Sequence, residues 1–112
     1  MHEYSLALSL LDSVERHARD AGAQRVVRIE LEVGASSGVE ADLLETAWQN
    51  VRETPLCSDS EMVIERMPEQ WICELCRAPL GPPPARCDAC DLPAALGGGD
   101  ELLLRKIDIL RE

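Results

Sequence analysis

The sequence contains no phenylalanine, one tyrosine and two tryptophans among its 112 residues. A core without these side chains has to be aliphatic, and this length suits one ordinary domain, or a small domain that carries a subdomain. No segment approaches the ~18 consecutive apolar residues of a membrane span. No basic start precedes the apolar run from Leu6, which Asp12 interrupts, so we expect no export signal and a cytoplasmic protein.

Basic residues are also scarce, because eleven Lys and Arg accompany twenty-one Asp and Glu, for a formal net charge of −10. Acidic residues outnumber basic ones in both halves of the chain, which argues against nucleic acid as a partner. The charge permits metal cations and basic protein surfaces, although solubility alone would explain it too. The sequence has no Ser-His-Asp set, no P-loop and no convincing acid–base pair, so we expect no catalysis.

Four of the five cysteines form two Cys-x-x-Cys pairs late in the chain. They are Cys73, Cys76, Cys87 and Cys90. Such pairs on one short loop place four thiolates around a single tetrahedral ion, and in a reducing cytoplasm they favour metal over disulfides. We interpret them as a structural Zn²⁺ site. A rubredoxin-like iron site uses the same sulfurs and is the rival interpretation, although Arg77 and Asp91 stand where glycine usually follows there.

The apolar pattern predicts an α+β fold with two helices, a small three-stranded sheet and an inserted zinc-ribbon-like module built on the four cysteines. Helical periodicity covers Ser5 to Ala21 and about Val39 to Glu53, and alternation predicts strands at Val27 to Val33, Glu61 to Met67 and about Glu101 to Leu110. Residues 1–68 and 99–112 would form the α/β domain, and residues 69–98 the module.

Three local features refine this prediction. Ser37 and Glu40 have the spacing of a capping box for the second helix. The stretch from Arg77 to Arg86 is rich in proline and predicts a turn, and Gly97 to Gly99 predicts a hinge out of the module. Cys57 lies outside the module and is predicted to be a small, semi-buried residue rather than a fifth ligand.

The amino terminus offers a second, chemically different set of ligands. His2 and Glu3 follow directly on a free amine, so an amine, backbone amides, an imidazole and a carboxylate occur within three residues. Nitrogen-rich sets suit Ni²⁺ or Cu²⁺, whereas four thiolates suit zinc. A solvated terminus without any bound metal would explain the same residues, so composition suggests nickel without establishing it.

The combination of these features resembles the HypA/HybF family of hydrogenase nickel-incorporation proteins. The residues that carry the resemblance are Met1 to Leu6, the strand ending Val33-Gly34, the paired Cys-x-x-Cys and the run from Gly99 to Ile109, which together span essentially the whole chain. The resemblance implies a metallochaperone that binds Ni²⁺ and delivers it to the [NiFe]-hydrogenase large-subunit precursor. It further implies a HypB-type GTPase as partner and, in some organisms, urease maturation proteins.

The resemblance also assigns site residues. His2 matches the nickel ligand and Glu3 the acidic residue beside it, while Glu40 stands where some relatives place an Asp that contacts nickel. The capping box explains Glu40 equally well. The zinc ligands of the family match Cys73, Cys76, Cys87 and Cys90.

Three hypotheses therefore remain: a nickel metallochaperone, a zinc-ribbon adaptor that only mediates protein contacts, and a rubredoxin-like electron carrier. Nickel binding needs a neutral imidazole and a deprotonated amine, so we expect affinity to fall as pH decreases through about 8 to 6.5. A homodimer is a further expectation, either through an open strand edge at Glu61–Met67 or Glu101–Leu110, or through exchange of segments at the Gly-rich exit.

Overall fold

In a computed structural model, which describes residues 2–111, the chain folds into two helices and two three-stranded sheets. The elements are α1 (His2–Asp20), β1 (Arg25–Gly34), α2 (Ala41–Val51), β2 (Glu61–Met67), β3 (Gln70–Ile72), β4 (Pro79–Leu80), β5 (Ala95–Gly98) and β6 (Leu102–Leu110). The predicted α+β fold with an inserted four-cysteine module is confirmed. Neither helix has the length and apolar character that crossing a membrane requires.

The first sheet has the strand order β2-β1-β6, in which β1 is parallel to β2 and antiparallel to β6. Its central strand pairs Ile29 with Met62 on one side and with Ile107 on the other. Helices α1 and α2 contribute Val14 and Trp48 to the buried cluster that includes Ile29. Because β1 carries alternating buried residues, one face of this sheet forms the aliphatic core that the composition predicts.

The predicted end of the first helix matches the structure, and the predicted start of the second helix does not. Gly22 has φ +73° and follows α1, as predicted, because glycine tolerates the left-handed conformation that ends a helix. The capping box at α2 is wrong: Glu40 is the N-cap residue and its side chain makes no capping bond. The Ser37 hydroxyl instead accepts a hydrogen bond from the Val39 N–H at 3.2 Å.

The second sheet, with strand order β4-β3-β5, lies within the module and was not predicted. Trp71 of β3 pairs with Leu80 on one side and Leu96 on the other. The predicted turn from Arg77 to Arg86 therefore contains a short strand, and the predicted hinge is wrong for Gly97 and Gly98, which lie in β5. Short strands between prolines and glycines have too few residues to show alternation.

The last residue of β1 and the loop after it make backbone hydrogen bonds at both connections between the two sheets. Gly34 N–H donates to the Glu101 carbonyl at 2.8 Å, Ala35 N–H to that of Met67 at 2.8 Å, and Ser36 N–H to that of Gly99 at 2.7 Å. A β-carbon at Gly99 would lie 2.4 Å from the Pro68 carbonyl oxygen. Gly99 therefore allows the two backbones to pack closely at this junction, where the sequence predicted a hinge.

Candidate metal centres

The four module cysteines lie together at the ends of two similar turns. Their sulfur atoms are all within 4.8 Å of one another, and the sulfurs of Cys76 and Cys87 are 3.7 Å apart. Cys73 and Cys87 are buried, Cys90 is half-buried and Cys76 is exposed. No other group of three or more His, Cys, Asp or Glu side chains within residues 2–111 is arranged to hold a metal ion.

Each turn has the same backbone hydrogen bonds. Arg77 N–H donates to the Cys73 carbonyl at 2.9 Å, and Asp91 N–H donates to the Cys87 carbonyl at 2.8 Å. Arg77 and Asp91 have φ of +67° and +55°, so each follows its Cys-x-x-Cys pair in the left-handed conformation that favours glycine. Each turn therefore ends in a strained residue directly after its second cysteine.

The environment separates the thiols by acidity. Backbone N–H groups of Cys76 and Leu75 hold the pKa of Cys73 at about 7, because they stabilise its thiolate. Burial and the neighbouring sulfurs raise the pKa of Cys90 to about 12. Four thiols this close cannot all ionise without a cation among them, so the chemistry of the cluster favours a divalent metal.

The sulfur spacing fits zinc. Four sulfurs about 2.3 Å from a central Zn²⁺ form a tetrahedron with edges of about 3.8 Å, close to the 3.7 Å between Cys76 and Cys87. A disulfide would need an S–S distance of about 2.05 Å. The donor set therefore fits a thiolate-bound metal, and the assignment of Cys73, Cys76, Cys87 and Cys90 as zinc ligands stays a prediction.

At the other candidate site, α1 begins at His2, three residues before the predicted start of the helix at Ser5. The His2 side chain is 63% exposed, whereas that of Glu3 is only 13% exposed. A Glu3 carboxylate oxygen accepts a hydrogen bond from the Glu40 backbone N–H at 3.2 Å and lies 3.9 Å from His2 Nδ1. The Glu40 N–H, above all, lowers the pKa of Glu3 below its ordinary value, because it stabilises the ionised carboxylate.

This contact joins the starts of α1 and α2 across 37 positions of sequence, a distance at which no local pattern could reveal it. The Glu40 side chain is exposed and has no capping role. His2, Glu3 and Glu40 are not gathered into a three-ligand group in the part of the chain that the structure describes. The amine of Met1 lies outside the described residues, so the nickel assignment of these side chains remains a prediction.

The remaining cysteine and histidine take other positions. Cys57 is fully buried in the core between the first sheet and the two helices, away from the four-cysteine group. Burial raises the pKa of its thiol to about 11. His17 lies on α1 with Nδ1 2.7 Å from the Ser13 carbonyl oxygen.

Comparison with known proteins gives a consistent result. A family model described as "Hydrogenase/urease nickel incorporation, metallochaperone, hypA" matches residues 1–109. A hydrogenase maturation factor HypA from Wolinella succinogenes is 36% identical over 116 aligned positions, which cover 100% of this chain and 98% of that protein. The HypA of Chlorobaculum parvum is 37% identical, with 97% and 99% covered.

Solved structures of similar proteins show the same architecture. The solution structure of the Ni metallochaperone HypA from Helicobacter pylori matches with a TM-score of 0.73 and 25% identity, covering 98% of each chain. A second solution structure of a HypA protein matches with a TM-score of 0.84 and 26% identity, covering 100% of this chain and 98% of the other.

Proposed function

The chain belongs to the HypA family of hydrogenase/urease nickel-incorporation metallochaperones, and we propose that it binds Ni²⁺ at its amino terminus and delivers it to the [NiFe]-hydrogenase large-subunit precursor. In this proposal residues 1–68 and 99–112 form the nickel-binding domain. Residues 69–98 form a module that a structural Zn²⁺ holds together. The role is that of a cytoplasmic carrier and maturation factor.

The observation that carries the proposal is the hydrogen bond from the Glu40 N–H to the Glu3 carboxylate. It places the starts of the two helices side by side, so that the His2 imidazole, the Glu3 carboxylate and the exposed Glu40 carboxylate share one region of the surface. Because Glu40 makes no capping bond, its carboxylate is free to become a further nickel ligand.

The position of His2 suits reversible binding. It is the first residue of α1, and the first N–H groups of a helix have no partners within it, so the backbone amide nitrogens can bind the cargo once they release their protons to solvent. The positive end of the helix dipole disfavours a cation there. Glu3 and the net charge of −10 oppose that effect. An exposed ligand set of this kind exchanges its metal with a partner more readily than a buried one.

The zinc module serves as a docking surface in this proposal. Leu75, at the tip of the first cysteine turn, is 72% exposed and is therefore accessible to another protein. The partners that family membership suggests are a HypB-type GTPase, the large-subunit precursor and, in organisms with urease, its maturation proteins.

Calorimetric Ni²⁺ titrations of three zinc-loaded proteins test the proposal. They are the native chain, His2→Ala, and a version extended before Met1, in which the amine of Met1 is no longer free. Any tag is placed at the carboxyl terminus. We expect both changes to weaken binding by at least an order of magnitude, since each removes a nitrogen ligand. Equal binding by all three would refute the carrier and leave the zinc-ribbon adaptor as the better description.

A further inference from the structure

The outer edge of β2 is a surface that neither of the proposed metal sites uses. This strand lies at the end of the β2-β1-β6 sheet and pairs only with β1. Within residues 2–111, no backbone group pairs with β2 from its other side. An uncovered strand of seven residues presents a row of unsatisfied N–H and C=O groups, to which another chain can add a strand.

The backbone hydrogen bonds show which residues of β2 carry these free groups. The Met67 carbonyl accepts a hydrogen bond at 2.8 Å from the N–H of Ala35, directly after β1, so the backbone of Met67 is directed toward β1. Backbone groups along a strand alternate in direction, and the pairing of β2 with β1 is regular over the whole strand. The N–H and C=O groups of Met62, Ile64 and Arg66 are therefore directed toward the free edge.

The carboxylates beside this edge have no cationic partner. Glu61 and Glu65 of β2 and Glu45 of α2 are exposed and form no ion pair in the part of the chain that the structure describes. The one cation of β2, Arg66, binds Asp42 at 2.7 Å. By contrast, every acidic side chain of β1 and β6 pairs with an arginine or lysine at 3.0 to 3.5 Å, and these are Glu30, Glu32 and Asp108. The β2 edge therefore attracts a cationic partner, and a second acidic edge of the same kind is a poor occupant.

The edge also has space for side chains on both faces of the sheet. On the face opposite the helices, Val63 is 39% exposed and lies between Glu61 and Glu65. Charges alone deter association at a free edge, whereas an exposed apolar side chain between them adds contact area for a partner. On the helix side, a polar cavity of about 200 Å³ lies beside the start of β2, and its polar lining residues are Glu45, Gln49, Arg52 and Glu61. An added strand can therefore place its alternate side chains on either face.

We propose that the outer edge of β2 binds an extended segment of another protein as a fourth, antiparallel strand of the first sheet, and that this segment has the pattern basic-x-apolar-x-basic. In such a pair the outward groups of β2 exchange hydrogen bonds with the segment, and the residues between them form pairs without hydrogen bonds, in which side chains approach most closely. Glu61, Val63 and Glu65 occupy these positions, so they face the basic, apolar and basic residues of the segment. This site does not depend on the nickel proposal.

An NMR titration of the zinc-loaded, reduced full chain with the blocked peptide Thr-Lys-Thr-Val-Thr-Lys-Thr tests it. We expect saturable shift changes at β2 with a dissociation constant on the order of 1 mM, because a short peptide has to be ordered on binding. Hydrogen exchange of the Met62, Ile64 and Arg66 amides should slow as the peptide saturates, while the Val63 and Glu65 amides, directed toward β1, should not respond. A peptide with proline at the two threonines that flank valine keeps both charges, loses the N–H groups that face β2, and should not bind.

Charge reversal provides a second readout. Glu61→Lys/Glu65→Lys should raise the dissociation constant of this peptide roughly tenfold or more, and should bind the same peptide with glutamate in place of lysine. Asp12→Lys/Asp20→Lys makes the same change in net charge at exposed positions of α1 and is the matched control, expected to bind like the native chain. Equal binding of the proline peptide, a charge-reversed variant that still prefers lysine, or shift changes at β6 rather than β2 would each overturn the proposal, as would the absence of any saturable change. Nickel titration of Glu61→Lys/Glu65→Lys should match the native chain, so failure here is distinguishable from failure of the carrier.

Discussion

Removing the metal from the four-cysteine group should unfold the module and leave the α/β domain, residues 1–68 and 99–112, folded. The two tryptophans allow each part to be followed separately. Trp71 lies in β3 of the module, while Trp48 is buried in the first core with its indole N–H donating to the Ser60 hydroxyl at 3.1 Å. On chelation, the emission of Trp71 should shift to the red as it becomes solvated, and that of Trp48 should not change.

The expected size of the transition follows from what holds the module together. Its buried residues are two of the cysteines, and no module residue belongs to the main buried cluster. Metal binding in small thiolate sites contributes on the order of 10 kcal/mol, which is about seven powers of ten in the folding equilibrium. The loss of module structure should therefore be complete. All helical residues within the described part of the chain, 19 in α1 and 11 in α2, lie outside the module, so the helical circular dichroism should persist.

The assay compares native protein and Trp71→Phe during titration with a strong chelator, by fluorescence and far-UV circular dichroism. Trp71→Phe retains Trp48 alone and should show no emission change. Full loss of helical signal would refute the independence of the first domain. An unchanged Trp71 spectrum in metal-free protein would refute the conclusion that metal supplies the folding energy of the module.

Three further predictions concern backbone strain, packing and pH. Arg77→Gly should stabilise the metal-loaded module by about 1 kcal/mol, because it removes the cost of a left-handed non-glycine residue; slower metal loss to a competing chelator measures it. Gly99→Ala should lower the free energy of unfolding, measured by urea denaturation, by more than about 2 kcal/mol, since its β-carbon would lie 2.4 Å from the Pro68 carbonyl oxygen. Gly38→Ala, at φ +78° and with nothing within 4 Å of the added β-carbon, should lower it by only about 1 kcal/mol. Equal losses would refute the packing argument. Glu3→Gln should lower the melting temperature at pH 7, and this deficit should shrink as pH falls below 4.5. The pKa of Glu3 is lowered in the folded protein, so its stabilising contribution is complete above the ordinary value of 4.5 and is lost as pH falls through the folded-state pKa. A deficit that grows as pH falls below 4.5 would contradict this linkage.

The sequence predicted the parts of the fold that have a clear period. Strand β2 was predicted with its observed bounds, Glu61–Met67, and β1 and β6 begin within two residues of their predicted starts. Each has enough alternating apolar residues to define a buried face. The strands of the module are two to four residues long, and their pairing depends on the cysteine turns rather than on alternation.

The candidate sites divide in the same way. The cysteine group could be predicted because both pairs are local in sequence and one metal brings them together. The contact between Glu3 and the Glu40 N–H could not, because it depends on how α1 and α2 pack. Gly97 to Gly99 were predicted as a hinge for a similar reason: composition shows that glycine permits flexibility, and only the contacts of Gly99 with Gly34 and Pro68 show that it permits close packing.

X-ray absorption at the nickel and zinc edges of protein loaded with both metals tests the division between the two sites most directly. We predict zinc with four sulfur neighbours at about 2.3 Å, and nickel with nitrogen and oxygen neighbours only, a spectrum that changes in His2→Ala. Nickel with sulfur neighbours, and a spectrum indifferent to His2, would contradict the account.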